Sequence, residues 1–246
     1  MELAYPNGTR GTLMGWVRVG SSLTSLLSTA IAGLLLPLWG VQRLFAFLSI
    51  FGIGAAIAFG QIKQLNPNSI EGRASGPNLD FSIFKTSYLS SIRILRRDHE
   101  FRHYMISLFL FGFANLMTAP VFALYQVDVI KVNDGFISIL VLVNFVTSLI
   151  CYLVGGRFID QNLPLRLTIL GFVLGPLVPL CYFAAGPAWI LLVAGAIQGI
   201  MNSAIDLASL NNVIHFANTP VGSGEVNSYM GVHMNFMGIR GTFGPL

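Results

Sequence analysis

Of the 246 residues, 54% are hydrophobic and only 10% charged, and the mean hydropathy is +0.71. Soluble domains carry about 25% charged residues, so this composition excludes a soluble globular domain and points to an integral membrane protein. The net charge of +4 forms no basic stripe with interleaved aromatics, which argues against a nucleic-acid partner. The two cysteines, Cys151 and Cys181, lie in apolar runs and belong to no CxxC pair or Cys/His cluster, so neither a metal site nor a cofactor is expected. Met1–Pro6 lacks the basic n-region and apolar core of a secretory signal peptide.

A bilayer core of about 30 Å needs roughly 20 apolar helical residues. Seven stretches approach that length: Thr12–Leu36, Leu44–Ile62, Tyr104–Val127, Phe136–Gly155, Leu167–Ala185, Trp189–Val213 and Val226–Leu246. The fold expected is all-α, a polytopic membrane helix bundle of about seven transmembrane helices with one amphipathic helix beside it.

The first span opens at Arg10-Gly11-Thr12 and carries Arg18 about one and a half turns inside. The default for Arg18 is to snorkel to the headgroups. After the second span, Lys63–His103 is the one extended polar segment. Its breaker-rich part, Asn66–Asn78, reads as a linker. Asp80 then reads as the N-cap of a helix reaching about Arg97. Phe81, Phe84, Tyr88, Ile92 and Leu95 recur at helical spacing, with Lys85, Arg93, Arg96 and Arg97 elsewhere on the turn. Such a helix lies on the membrane surface or packs under the bundle. The chain is thus divided into 1–62, the linker 63–103, and 104–246.

In Tyr104–Val127, Pro120 is expected to kink the helix, with Asn115 as a cavity candidate. Asn144 in the next span reads as interhelical glue. Between Phe136–Gly155 and Leu167–Ala185 lies Gly156-Arg157-Phe158-Ile159-Asp160-Gln161-Asn162-Leu163-Pro164-Leu165-Arg166, a tight charged loop. In Trp189–Val213, Gln198, Asn202 and Asp206 fall at i, i+4 and i+8 and share one face. Polar residues at such depth face a bundle interior or a water cavity. Asp206 is placed about 10 Å from the helix end, as a cation or proton site or as a structural hydrogen-bonding group. The last span holds His233 and Arg240, and Arg240 should seek Glu225, Asp206 or a missing helix.

Sidedness follows from the basic residues. Ten lie on one set of faces, from Arg10 through Arg166, against Arg43 and Lys131 on the other. The N-terminus, the central linker and the Gly156–Arg166 loop are therefore expected to be cytoplasmic, in a plasma or inner membrane. A faint echo joins Arg10-Gly11-Thr12 with Met14-Gly15 to Met237-Gly238 with Arg240-Gly241-Thr242. Repeated helical halves are a common plan of secondary transporters.

Gly156-Arg157-Phe158-Ile159-Asp160 followed by Arg166 resembles the cytoplasmic loop motif of the major facilitator superfamily, Gly-x-Leu-small-Asp-basic-x-Gly-basic. Phe158, Ile159 and Gln161 depart from that pattern, and Leu163-Pro164 stands where a Gly is usual. The segment 63–103 resembles the family's central loop, and Gly238-x-x-Gly241-x-x-Gly244-Pro245 its Gly/Pro packing motif. The resemblance implies that the seven spans are helices five to eleven of twelve and that the 246 residues are a fragment. It also implies transport of a small solute by alternating access, with a proton as a candidate coupling ion. Under it, Gly156, Arg157, Asp160 and Arg166 form a gating loop. Asp160 would face a helix N-terminus near Thr9–Thr12, with Arg18 and Arg240 as candidate helix-end partners. Asn115, Gln198, Asn202 and Asp206 would line the pathway. The expected partners are the solute, the lipid bilayer and the missing helices of the same transporter. An intramembrane enzyme would need a nucleophile with a base or a metal, and neither GxSxG nor HExxH occurs. A self-contained seven-helix receptor or sensor is the other alternative.

Overall fold

A computed structural model describes residues 10–61, 91–161 and 163–244. Within them the order is α1 (Arg10–Gly60), α2 (91–97), α3 (His99–Leu124) with a π-helical turn (Tyr125–Val129), α4 (Asp134–Asp160), α5 (Pro164–Leu174), α6 (Leu177–Phe183), α7 (Trp189–Ala217) and α8 (Val226–Phe243). The described residues contain no strand. Asp80, the linker 66–78, Phe81, Phe84, Lys85 and Tyr88 lie outside them.

Two compact units result, one of Met1–Gly20 with Ser82–Leu246 and one of Ser21–Phe81. In the smaller unit α1 is interrupted at Gly40 (φ 72°, ψ 164°), between the first two expected spans. Only glycine takes that backbone conformation without strain. Beyond the break, Phe47 packs edge-on to both Trp39 and Phe51, with centroids 5.3 Å apart in each pair.

In the larger unit α7 is the hub, and α4, α5, α6 and α8 all pack against it. Its buried residues are largely small or polar: Gly195, Gly199, Ser203, Ala204, Ala208, Asn211 and Asn212. Large apolar side chains point outward instead, Phe183 being 92% exposed. Small residues inside and apolar ones outside is the arrangement expected when the surrounding solvent is lipid, where helices associate through close packing and interhelical hydrogen bonds. Among the described residues, four helices are long and apolar enough to cross a bilayer: His99–Val129, Gly135–Asp160, Pro164–Phe183 and Trp189–Ala217. The other three expected spans fall on α1 and on the 18-residue, Gly- and Asn-containing α8.

The α4–α7 seam shows how this packing works. Gly195 and Gly199 let the helices approach, and α4 answers with donors. Asn144 Nδ2 donates to the Gly195 carbonyl at 3.2 Å, Ser148 Oγ to that of Gly199 at 3.2 Å, and Cys151 Sγ to that of Ile200 at 3.4 Å. A second core joins α2, α3, α7 and α8 through Ile94, Phe101, Tyr104, Met105, Leu108, Val213, Tyr229 and Val232. Ile94, rather than the expected Ile92 and Leu95, is the deepest apolar residue of α2, while Arg93, Arg96 and Arg97 are exposed. The described part of this helix therefore packs under the bundle.

Two expectations about helix breaks change. Pro120 sits inside α3 without ending it, and the disturbance comes later, where Ile130 N–H bonds the Tyr125 carbonyl at 3.0 Å across the π-turn. The expected span Leu167–Ala185 is broken instead at Gly175-Pro176, between α5 and α6. Proline supplies no N–H at that point. Gly175 lies so close to α3 that a methyl group there would stand 2.8 Å from Phe111 Cζ.

Candidate functional site

Asp160 is the last residue of α4, not a loop residue beyond it. A carboxylate at a helix C-terminus opposes that helix's own dipole. The N-terminus of α1 compensates. Asp160 Oδ1 accepts from Gly11 N–H at 2.5 Å, and Oδ2 accepts from Thr12 N–H at 2.9 Å and from the Thr12 hydroxyl. α1 starts at Arg10, so these are first-turn N–H groups with no partner inside their own helix. Asp160 does not cap the following helix: α5 begins with Leu163 at its cap, without a side-chain bond, and Pro164 in its first turn.

Three glycines allow this approach. Gly11 and Gly15, one turn apart on α1, lie against Gly156 and Tyr152 of α4. A methyl group at Gly15 would stand 2.6 Å from the Tyr152 carbonyl oxygen, and one at Gly11 would be 2.6 Å from Ile159 Cβ. Gly156 is buried in the seam, while Arg157 and Arg166 are exposed on either side of the turn. Arg157 lies in the last turn of α4, where a cation suits the dipole.

A second contact lies deeper between α1 and α7. Arg18 Nη2 is 3.0 Å from Asp206 Oδ1, and the Tyr152 hydroxyl donates to Asp206 Oδ2 at 3.1 Å. Arg18 therefore pairs with Asp206, neither snorkelling alone nor assisting at Asp160. Because α7 continues to Ala217, Asp206 lies about 16 Å from its end at 1.5 Å per residue, deeper than its position in the shorter expected span. Asp206 is tied down by this triad, whereas Gln198 and Asn202 on the same stripe form no hydrogen bond among the described residues. Asn202 is exposed and Gln198 half-buried.

Two further links on this face had no counterpart in the sequence reading. Asp98 caps α3 through Phe101 N–H at 2.9 Å and accepts from the Tyr229 hydroxyl at 2.8 Å, with Asp98 only 4% exposed. Arg97 reaches the α7–α8 turn, bonding Glu225 Oε1 at 3.2 Å and the Val221 carbonyl. A charged residue just ahead of an apolar helix was the available signal for Asp98. The Gly11-x-x-x-Gly15 spacing was the signal for the α1–α4 seam.

Elsewhere, Asn115 lines a cavity of about 160 Å³ with Phe111, Thr118, Phe122, Pro176 and Met201. The break between α5 and α6 opens directly onto it. Arg240 lies in the last turn of α8. It lies against Gly112 of α3, where a methyl group would come 2.5 Å from its Cζ. Neither Asp206 nor Glu225 reaches it, since Arg18 and Arg97 hold those carboxylates. Of the Gly238, Gly241 and Gly244 motif only Gly244 is in a packed contact, 2.9 Å from Leu116 Cβ for an added methyl; the other two meet nothing within 4 Å.

No curated protein and no solved structure matches this chain. The family model described as Major Facilitator Superfamily matches residues 1–245. That match, over a chain with membrane-length helices, shows that it belongs to the major facilitator superfamily of transporters.

Proposed function

We propose that the chain moves a small solute across the membrane by alternating access, with Asp160 as a releasable latch on its cytoplasmic face. In this assignment the two arms of α1 are helices five and six, α3 is seven, α4 eight, α5 with α6 nine, α7 ten and α8 eleven. Helices one to four and twelve of that plan would be its packing partners. The face is assigned to the cytoplasm because Arg10, Arg93, Arg96, Arg97, Arg102, Arg157 and Arg166 gather there.

The observation that carries the reading is Asp160 accepting from Gly11, Thr12 and the Thr12 hydroxyl, across 148 residues of sequence in the case of Thr12 N–H. A carboxylate bonded to the first turn of a different helix holds the two together by charge and by otherwise unpaired donors. Water can take up both the carboxylate and the freed first-turn N–H groups when the two separate, which suits a contact that opens and closes. The Arg18–Asp206–Tyr152 triad supports it from one layer below. A proton taken up by Asp206 would release Arg18, which is how proton coupling would act here. Asn115, Gln198 and Asn202 line the solute path in this reading.

The test uses a cysteine at the exposed Asn202, with Cys151 and Cys181 replaced by Ala, in inside-out vesicles treated with a membrane-impermeant maleimide. Removing the Asp160 charge costs the closed state about 1–2 kcal/mol, so Asp160→Asn should raise the labelling rate roughly 5- to 30-fold. An unchanged rate in both Asp160→Asn and Asp160→Ala overturns the latch.

A further inference from the structure

Arg240, in the last turn of α8, has no ion-pair partner among the described residues. It lies 14 residues into α8, about 21 Å from the helix start. Gly112, which it covers, lies about 20 Å into α3. Any side chain at Gly112 would displace the guanidinium, so the glycine leaves a notch that holds it. Arg240 Nε is buried with no hydrogen-bond partner, and the side chain as a whole is half-buried. Among the described residues no carboxylate lies within ion-pair distance of it.

A second orphan shares its stripe. His233, seven residues earlier and so on the same face of α8, is 3% exposed, and its Nδ1 has no partner. Aromatic rings stand next to the notch. Phe236 is one turn before Arg240 and meets Phe109 edge-on at 5.9 Å, and Phe109 stacks with Phe113 at 6.0 Å. An ionised group at this depth is costly unless it is paired or serves a site. A guanidinium's planar fork suits an oxyanion, which it can hold through two parallel bonds.

We propose that Arg240 is the anion-recognising residue of the solute site, and that the transported solute is an organic anion whose carboxylate or phosphate group completes Arg240 beside His233, with its apolar part against Phe109 and Phe236. This rests on the transporter reading above and adds the class of solute to it.

The full chain reconstituted in liposomes is the material. Its thermal midpoint is followed with sodium benzoate, inorganic phosphate and uncharged benzamide, and counterflow of labelled benzoate is measured in the same vesicles. A saturable rise in midpoint with benzoate or phosphate but not benzamide is expected; benzoate alone assigns a carboxylate with an apolar body, phosphate alone a phosphorylated solute. Arg240→Gln should remove the shift, Arg240→Lys should keep a weaker one, and Gly112→Ala should weaken it at least tenfold by filling the notch. No shift with either anion, or an undiminished shift in Arg240→Gln, overturns the proposal. Should Arg240→Gln fail to fold, Gly112→Ala and Arg240→Lys still decide it, since full-strength binding in both also overturns it. Arg240-dependent binding without counterflow would leave the anion site standing and remove the transport reading. Counterflow that ignores Arg240 would do the reverse.

Discussion

Gly156 of α4 and Gly11 of α1 meet backbone to backbone: a methyl group at Gly156 would stand 2.7 Å from the Gly11 carbonyl oxygen and 3.0 Å from Thr12 Cα. One turn further along α4, this crossing delivers the Asp160 carboxylate to the first N–H groups of α1. The glycine seam sets the distance and the carboxylate uses it.

Gly156→Ala should therefore open the latch without touching any charge. The atoms such a methyl would meet are backbone atoms of Gly11 and Thr12, which cannot rotate away, so the helices must separate, at a cost of about 1–3 kcal/mol. Maleimide labelling at residue 202 should rise as it does in Asp160→Asn, and adding Asp160→Asn to Gly156→Ala should contribute little more. Gly238→Ala is the control, since a methyl there meets nothing within 4 Å. Its thermal midpoint should hold or rise slightly, because alanine favours the helix by up to about 1 kcal/mol. Additive effects of the first pair would separate the seam from the latch.

Arg18 and Asp206 should behave as one unit in a double-mutant cycle. Their side chains are 44% and 38% exposed, so the pair is worth only about 0–1 kcal/mol of stability. The functional effect should exceed the stability effect. Asp206→Asn should keep solute exchange and lose net uphill uptake, Arg18→Gln should do likewise, and the exchanged pair Arg18→Asp with Asp206→Arg should recover part of the uptake. Tyr152→Phe removes one hydrogen bond to the carboxylate, costing about 1 kcal/mol, and should leave net uptake reduced but present. Full uphill uptake in Asp206→Asn would remove the coupling role.

These contacts differ in how legible they were in the sequence. The spans could be read because length and hydropathy are local properties, and the helix facing Asp160 could be named because the loop pattern and a pseudo-symmetric plan both pointed to Thr9–Thr12. The Arg18–Asp206 pair could not, since Arg18 near a membrane face is already explained by snorkelling and nothing local links it to α7. Asp98 stood in the run Arg96-Arg97-Asp98-His99-Glu100, whose composition reads as solvated. Only the packing of α2, α3 and α8 around Tyr229 buries it. Gly175-Pro176 was a readable breaker inside an apolar run, but Pro120 was as visible, and only the contact with Phe111 distinguishes them.

Asp98 and Tyr229 should matter for stability and not for gating. Asp98 is 4% exposed and Tyr229 fully buried, and their hydrogen bond joins the start of α3 to the start of α8. Asp98→Ala removes an N-cap, worth about 0.5–2 kcal/mol, and leaves a buried hydroxyl without its acceptor, worth about 1–3 kcal/mol. Tyr229→Phe removes only the hydroxyl and leaves the cap in place, so its midpoint should fall less. Asp98→Ser keeps a capping oxygen but is too short to reach Tyr229 in the same way, and should fall between the two. Thermal unfolding in detergent measures all three. Because their hydrogen bond and core contacts run to α2, α3, α7 and α8, the labelling rate at residue 202 should match the parent chain at temperatures well below each variant's midpoint. A variant that labels faster there would place the α3–α8 junction in the moving part of the molecule instead of its fixed frame.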